Sequence, residues 1–578
     1  MQNLRKICCE PTDTIGFVLK LFNEAKSFNL PSGIGLVIDS DKKLIGTVTE
    51  GDVRRALISG KGMDTMVVEF MSSDPISFQD GLSISEILDL LPKELLKRQR
   101  KASKYLSKII LVDETKVPIK VLDYHELWEQ KVATHRHLVV VGLGYVGLTM
   151  AVVMADAGFM VTGVEVDTYR YDLLNKGESY IHEIGLPELL REHLNKNLFI
   201  KKEVPEDGDV FIISVGTPVV EDSNGKKSPV MNYLEDSAGK IASVLKHGDL
   251  VILRSTVPVG TCRDVVKPIL EKGSGLKAGV DFHFSFAPER TAEGKALKEL
   301  RSLPQIIGGI NKESIEVTSA IFRDLTPTIV KVESLEAAEM AKLMNNTFRD
   351  YIFAYANQMS QIASAYNINV FNVIKAANEG YVRDPIPLPS PGVGGPCLTK
   401  DPHIFASVSE HQKISGEIFV RGRMINESMH NFIFDRVSKH LNKNGKQLEN
   451  CNILIAGLAF KGNPETGDIR NSTSIDIANL FKPRVKNVFG YDAVAEEPEV
   501  EQYGLKPVKL PDGFKNIDAV LFLNNHKQFE RINIYEMVRF MAEKPVIFDG
   551  WNLFRWEDIV AIRPSTFLGL SFVKSSVE

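Results

Sequence analysis

Cysteine and tryptophan are scarce in this chain of 578 residues, with five of the first and three of the second. Cys8 and Cys9 are adjacent, Cys262, Cys397 and Cys451 are widely spaced, and no CxxC pair occurs. That pattern excludes a cysteine-based zinc site and a secreted disulfide framework. A charge excess is missing too. With 69 basic and 74 acidic residues the formal net charge is −5, which gives no electrostatic case for nucleic acid or an anionic membrane surface. The N-terminus "MQNLRKICCEPTD" lacks the apolar core of a signal peptide. The apolar run "HLVVVGLGYVGLTMAVVMADAG" is broken by glycines and falls short of the ~20 residues a span needs. The expectation is a cytoplasmic protein with no metal site and no membrane segment.

What is present is length, enough for three or four domains. Residues 1–134 read as a separate module. "GIGLVIDSDKKLIGTVTEGDVRRALI" patterns as strand, turn, strand and helix, and a looser second copy follows from "PISFQDGLSISEILDLL" to "KIILVDETKVPIKVLDYHELW". Two weak tandem repeats predict one pseudo-symmetric domain.

After a linker at "KVATHR", "HLVVVGLGYVGLTMAVVMADAGFMVTGVEVD" patterns as a βαβ unit. Gly142, Gly144 and Gly147 have GxGxxG spacing: one for the tight turn, one for backbone approach to a pyrophosphate, one for close helix–strand packing. Glu165 lies where an acid would accept both ribose hydroxyls and repel the extra phosphate of NADP, with Asp167 as a possible substitute. Strand-like runs at "DVFIISVGTP", "DLVILRSTVP", "FHFSFAPER" and "PQIIGGI" predict a doubly wound parallel sheet. Residues 334–366 contain no Gly or Pro and repeat apolar residues at helical spacing, predicting one long helix. From about Cys451 a second alternating region predicts a smaller Rossmann-like domain; the segment after Arg563 gives no reading.

Between them lies "PGVGGPCLTKDP", where glycines and prolines shape the backbone around Cys397. A thiol held near a cation is a candidate nucleophile, and a surface turn is the plain alternative. The stretch alone leaves both open.

With "GLGYVG", "SVGTP", "RSTVPVG", "APERTAEG", "EMAKLMNNTFRD", "GVGGPCLTKDP", "AGLAFKG" and "GDIRNSTS" in this order, residues 135–560 resemble the UDP-glucose/GDP-mannose dehydrogenase family. The N-terminal module looks like a pair of CBS modules, which lie outside the common family plan. The resemblance implies an α/β fold: two Rossmann-like doubly wound domains joined by a long central helix, plus an α+β CBS pair. The boundaries expected are 1–134, 135–330 (NAD-binding), 331–445 (central) and 446–578 (UDP-binding).

The resemblance also implies chemistry. A sugar's C6 hydroxymethyl group is oxidised twice, with NAD as acceptor, through a thiohemiacetal and a thioester on Cys397. Asp401 helps activate water for thioester hydrolysis, Lys342 stabilises oxyanion charge, Asn346 orients substrate or water, Glu289 acts near the nicotinamide, and Thr256 holds catalytic water and touches the cofactor. Gly142, Gly144, Tyr145, Val146, Gly147, Glu165, Arg170 and Thr217 complete the NAD site. Glu293, Arg349, Arg383, Gly394, Lys461 and Arg470 face the UDP-sugar, and Lys400 plays at most a supporting part. "PERTAEG", "NTFRD" and "GVGGPCLTKDP" look most like UDP-N-acetyl-mannosamine dehydrogenases, with UDP-glucose, UDP-N-acetylglucosamine and UDP-N-acetylgalactosamine as alternatives. The expected product is a uronate for surface polysaccharide.

Thr49 and Asp52 match the CBS ribose pattern in the first copy only, so an adenine nucleotide or a structural role is expected there. The long helix implies a homodimer or higher homo-oligomer. Two rivals stand against this reading: a CBS-linked sensor without turnover, and a two-electron hydroxyacid dehydrogenase, which would have no use for the cysteine.

Overall fold

The computed structural model describes residues 4–25, 30–31, 33–80, 82, 87, 90–91, 94, 108–123, 136–223 and 227–577. The N-terminal part holds two three-stranded sheets of the same plan. β1 (Cys8–Cys9), β2 (Ile34–Ile38) and β3 (Leu44–Thr49) form one, and β4 (Ser77–Gln79), β5 (Lys108–Val112) and β6 (Pro118–Asp123) form the other. In each, the first pair is parallel and the second antiparallel, so the repeat seen in the sequence is a repeat of topology. The second copy is not a free unit. Ile110 and Val112 of β5 join the apolar core of the first copy, whereas Ile109 and Leu111 join the core of the following domain.

That domain is built on eight strands in the order β16-β15-β14-β13-β10-β7-β8-β9. They are β7 (His137–Val141), β8 (Met160–Val164), β9 (Leu198–Lys201), β10 (Val210–Ile213), β13 (Leu250–Leu253), β14 (His283–Phe286), β15 (Gln305–Gly309) and β16 (Ile329–Lys331), with a separate hairpin of β11 (Val219–Glu221) and β12 (Lys227–Pro229). The run β9-β8-β7-β10-β13-β14 is parallel and follows the 3-2-1-4-5-6 order of a dinucleotide-binding fold. The all-parallel expectation fails at β15, which runs antiparallel to β14. Residues alternating along β7 feed two cores: Leu138 and Val140 on one side, Val139 and Val141 on the other. Burial on both faces explains why these strands read as continuous apolar runs.

The Gly/Pro-free stretch is one helix, Leu335–Ala365, about 46 Å long. Ser334 caps it by accepting a bond from the Ala337 N–H. It packs against the helices Asp401–His411 and Glu417–Lys443. The last domain is a seven-stranded sheet built from β17 (Asn452–Ala456), β18 (Asn487–Tyr491), β19 (Lys506–Pro507), β20 (Ala519–Phe522), β21 (Val546–Asp549), β22 (Thr566–Gly569) and β23 (Val573–Ser575), in the order β19-β18-β17-β20-β21-β22-β23. The segment after Arg563, unread in the sequence, supplies its edge: β22 (Thr566–Gly569) pairs antiparallel with β23 (Val573–Ser575). Among the described residues no helix is long and apolar enough to cross a membrane, and no group of His, Cys, Asp and Glu could hold a metal ion.

Candidate active site

The helix Tyr145–Asp156 begins at Gly144, which has no side-chain cap, so its first N–H groups are available to an anion. The space beside Gly144 is open, whereas a Cβ on Gly147 would meet the Gly142 carbonyl oxygen at 1.9 Å. Gly142 itself sits at φ 88°. The three glycines thus do the three jobs expected: turn, open cradle and close packing. Val146 lies in the first turn of the helix. Glu165 is buried just past β8, with Oε1 accepting from the Asp167 N–H at 2.9 Å. Asp167 caps the helix Thr168–Asn175, its Oδ1 accepting from the Arg170 N–H. The Arg170 guanidinium stacks on Tyr180, 5.0 Å from the ring centre. Across the mouth, Thr217 Oγ1 donates to the Thr256 carbonyl at 2.5 Å. An uncapped helix end, an open glycine and a buried carboxylate fit NAD.

Cys397 lies in the loop before the helix Asp401–His411 and is solvent-accessible. Four charged groups act on its thiol: Asp401, Lys342, Lys400 and Glu293. Protein crowding raises the thiol's pKa, the Asp401 carboxylate adds to the rise, and the two ammoniums oppose it without reversing it. Lys400 spends its charge on Asp401, with Nζ 2.8 Å from Oδ1. The other oxygen of this fully buried carboxylate accepts from Asn346 Nδ2 at 2.5 Å. Lys342, one helical turn before Asn346, is buried and donates to the Glu289 carbonyl oxygen.

Glu289 contributes that backbone oxygen, while its carboxylate is engaged elsewhere. It pairs with buried Arg254 and accepts from the Arg290 and Thr291 N–H groups at 2.7 and 2.6 Å. Burial works to raise this carboxyl's pKa, but Arg254, Thr291 and Lys342 outweigh it and hold it below the usual range. Glu293 is the reverse case: burial, then Asp468, push it up to about 7.

The last domain closes on this edge. Lys461 Nζ donates to the Glu293 carbonyl at 2.8 Å, and a Cβ on Gly294 would meet the Glu465 carbonyl oxygen at 2.4 Å. Burial lowers the Lys461 pKa; the Glu293 carboxylate opposes this and Arg349 adds to it, which places Arg349 beside the same edge. Gly394 packs on Asn471, and the next residue's N–H donates to the Asn471 carbonyl, so the cysteine loop rests on "DIRNS". Arg470 is exposed and forked onto Asp468. Arg383 lies in an exposed stretch, and nothing described ties it to this cluster.

Sequence reasoning missed Glu183. Its buried carboxylate accepts hydrogen bonds from the Tyr145 hydroxyl and the Gly294 N–H, joining the glycine turn to the loop that carries Glu293. Nothing in "YIHEIGL" marks it, because its partners lie 38 and 111 residues away.

Four parts of the chain match known family domains. Residues 136–326 match the NAD binding domain, 336–428 the central domain and 454–555 the UDP binding domain of the UDP-glucose/GDP-mannose dehydrogenase family, and residues 4–59 match a CBS domain. The UDP-N-acetyl-D-mannosamine dehydrogenase of Methanococcus aeolicus is 33% identical over 72% of this chain and 92% of its own. The Ralstonia nicotianae NDP-N-acetyl-D-galactosaminuronic acid dehydrogenase is 31% identical over 69% and 92%. The solved UDP-D-ManNAc dehydrogenase of Pyrococcus horikoshii aligns with a TM-score of 0.68 at 32% identity, covering 75% of this chain and 99% of that one. The chain belongs to the UDP-glucose/GDP-mannose dehydrogenase family, and is an NAD-dependent nucleotide-sugar dehydrogenase carrying an N-terminal CBS domain.

Proposed function

We propose that this dehydrogenase oxidises the C6 hydroxymethyl group of a UDP-N-acetylhexosamine, UDP-N-acetyl-mannosamine first among them, to the uronate. The observation that carries the chemistry is an accessible thiol in the loop leading into Asp401, whose buried carboxylate is held by Asn346 and Lys400. The choice of sugar rests on relatives of that name at 33% identity. The units performing this work are residues 1–134, 135–330, 331–445 and 446–578.

NAD, when bound, accepts a hydride in each of two oxidations. Gly142, Gly144 and Gly147 seat it with Tyr145, Val146, Arg170 and Thr217, and Glu165 holds its ribose. Lys342 and Asn346 orient the C6 oxygen, and Thr256 holds a water. The Cys397 sulfur adds to the aldehyde carbon while its proton passes to the forming oxyanion, stabilised by the Lys342 ammonium. Retaining the aldehyde on sulfur makes it a hydride donor for the second oxidation. Asp401 then takes a proton from the water that attacks the thioester, and the thiol leaves with a proton restored. Lys461 and Arg470 contact the diphosphate; Glu293, Arg349 and Gly394 line the sugar end.

Two further readings complete the proposal. Met340, Met344, Phe348, Tyr351, Tyr355 and Ile362 leave one face of the long helix apolar and exposed, which supports a homodimer through this helix. Thr49 and Asp52 form a capping box, and Asp52 pairs with Arg55. An adenine nucleotide taking the Thr49 and Asp52 hydrogen bonds would reorder that turn and reach the NAD domain through β5. Calorimetric titration with ATP tests this: binding lost in Asp52→Ala supports it, and no heat with the intact protein contradicts it.

The substrate test is a comparison of kcat/KM for UDP-N-acetyl-mannosamine, UDP-N-acetylglucosamine and UDP-glucose. A preference of tenfold or more for the first is expected; a higher value for UDP-glucose would overturn the sugar assignment.

A further inference from the structure

We infer that Arg423, paired with Asp350, is a positioning residue for the Cys397 loop; this rests on Cys397 being the nucleophile. Arg423 stands on the helix Glu417–Lys443 and is among the largest fully buried side chains. Its Nη1 donates to Asp350 Oδ1 on the long helix at 2.6 Å and to the Leu398 carbonyl at 3.3 Å. Its Nη2 donates to the Val393 carbonyl at 2.5 Å, and its Nε to Glu427 at 3.2 Å. One planar fork therefore grips the loop on both sides of the thiol, four residues before it and one after.

The grip continues upstream. Asn426 Nδ2 donates to Asp350 Oδ1 at 2.9 Å, Asn357 Nδ2 to Asn426 Oδ1 at 2.9 Å, and Asn357 Oδ1 receives the Ser390 N–H at 2.8 Å. Arg423, Asp350, Asn426 and Asn357 are all buried. Apolar residues of similar volume would join the two helices at least as stably, since a buried ion pair must overcome its own desolvation. What apolar residues cannot do is hold three backbone groups of a glycine-rich loop in register. Lysine cannot either, because it lacks the planar fork. A displacement of about 1 Å at a reacting atom costs roughly 100-fold in rate.

The test uses the full-length enzyme and three variants: Arg423→Met, Arg423→Lys and Cys397→Ser. Four quantities are read: Tm, KM for NAD and UDP-sugar, the fraction of sugar released as free aldehyde, and the rate of Cys397 alkylation by iodoacetamide against pH. For Arg423→Met we expect acid formation to fall 10- to 100-fold, with aldehyde release, a shifted alkylation profile and KM within about threefold of wild type. Arg423→Lys should lie between it and wild type. Arg423 variants that fold, lose Tm, and keep the wild-type aldehyde fraction and alkylation profile would overturn the inference, leaving Arg423 as helix packing alone. If Arg423→Met does not fold, Arg423→Lys decides by the same two readouts. Full acid production by Cys397→Ser would instead remove the nucleophile reading beneath it.

Discussion

Asn346 on the long helix donates to Asp401 Oδ2, and Lys400 holds the other oxygen of the same carboxylate. This places a buried, doubly tethered base one helical turn after Cys397. It defines which step should fail first when the site is altered.

Removing the base without removing the thiol should trap the covalent species. Asp401→Asn keeps the volume and loses proton acceptance, so hydrolysis should slow by about 10²–10⁴-fold. Mass spectrometry of Asp401→Asn after mixing with NAD and UDP-sugar should show a sugar adduct on Cys397. Rapid turnover with no adduct would assign hydrolysis to another group.

Glu165 should act on affinity alone. Glu165→Ala removes charged hydrogen bonds worth about 1.5–3 kcal/mol, so the KM for NAD should rise roughly 10- to 100-fold while kcat at saturating NAD stays within a few-fold. A fall in kcat with unchanged KM would place Glu165 elsewhere in the reaction.

Arg254 should matter for stability before chemistry. The Glu289 carboxylate is buried, and Arg254 is its charge partner. Arg254→Met leaves that charge uncompensated, at a cost of about 3–5 kcal/mol. Urea denaturation followed in the NAD domain measures this; a loss under 1 kcal/mol would mean that the backbone N–H groups of Arg290 and Thr291 suffice.

Glu293 sets a pH dependence in the ligand-free protein. Its carboxyl is pushed up to about 7 by burial and then by Asp468, from an ordinary 4.5. The folded state therefore binds this proton more tightly than the unfolded chain. The contribution favours folding below about pH 4.5 and is lost as pH rises to about 7. Because the group is partly exposed, about 1–2 kcal/mol is expected. Glu293→Gln should flatten that decline and be more stable than wild type at pH 8. An unchanged slope from pH 5 to 8 would show that Glu293 titrates normally.

Local patterns were enough for much of this. Apolar runs buried on both sheet faces, the GxGxxG turn, the capped helix beginning at Leu335 and the cysteine loop are each written in a few dozen consecutive residues. What stayed hidden depends on distant partners. That Asp167 caps a helix while Glu165 lies buried shows only in the fold. Glu289 looks like a free acid until Arg254, 35 residues away, takes its carboxylate. The charge on Cys397 depends on balancing two ammoniums against burial and two carboxylates, which no spacing reveals. The antiparallel turn at β15 is invisible because parallel and antiparallel buried strands share one apolar pattern.

The central claim is that Cys397 carries the sugar from aldehyde to acid. The direct measurement is NADH formed per UDP-N-acetyl-mannosamine consumed by the full-length enzyme, with the product identified. Two NADH and a uronate per sugar are predicted. One NADH with free aldehyde would contradict the claim.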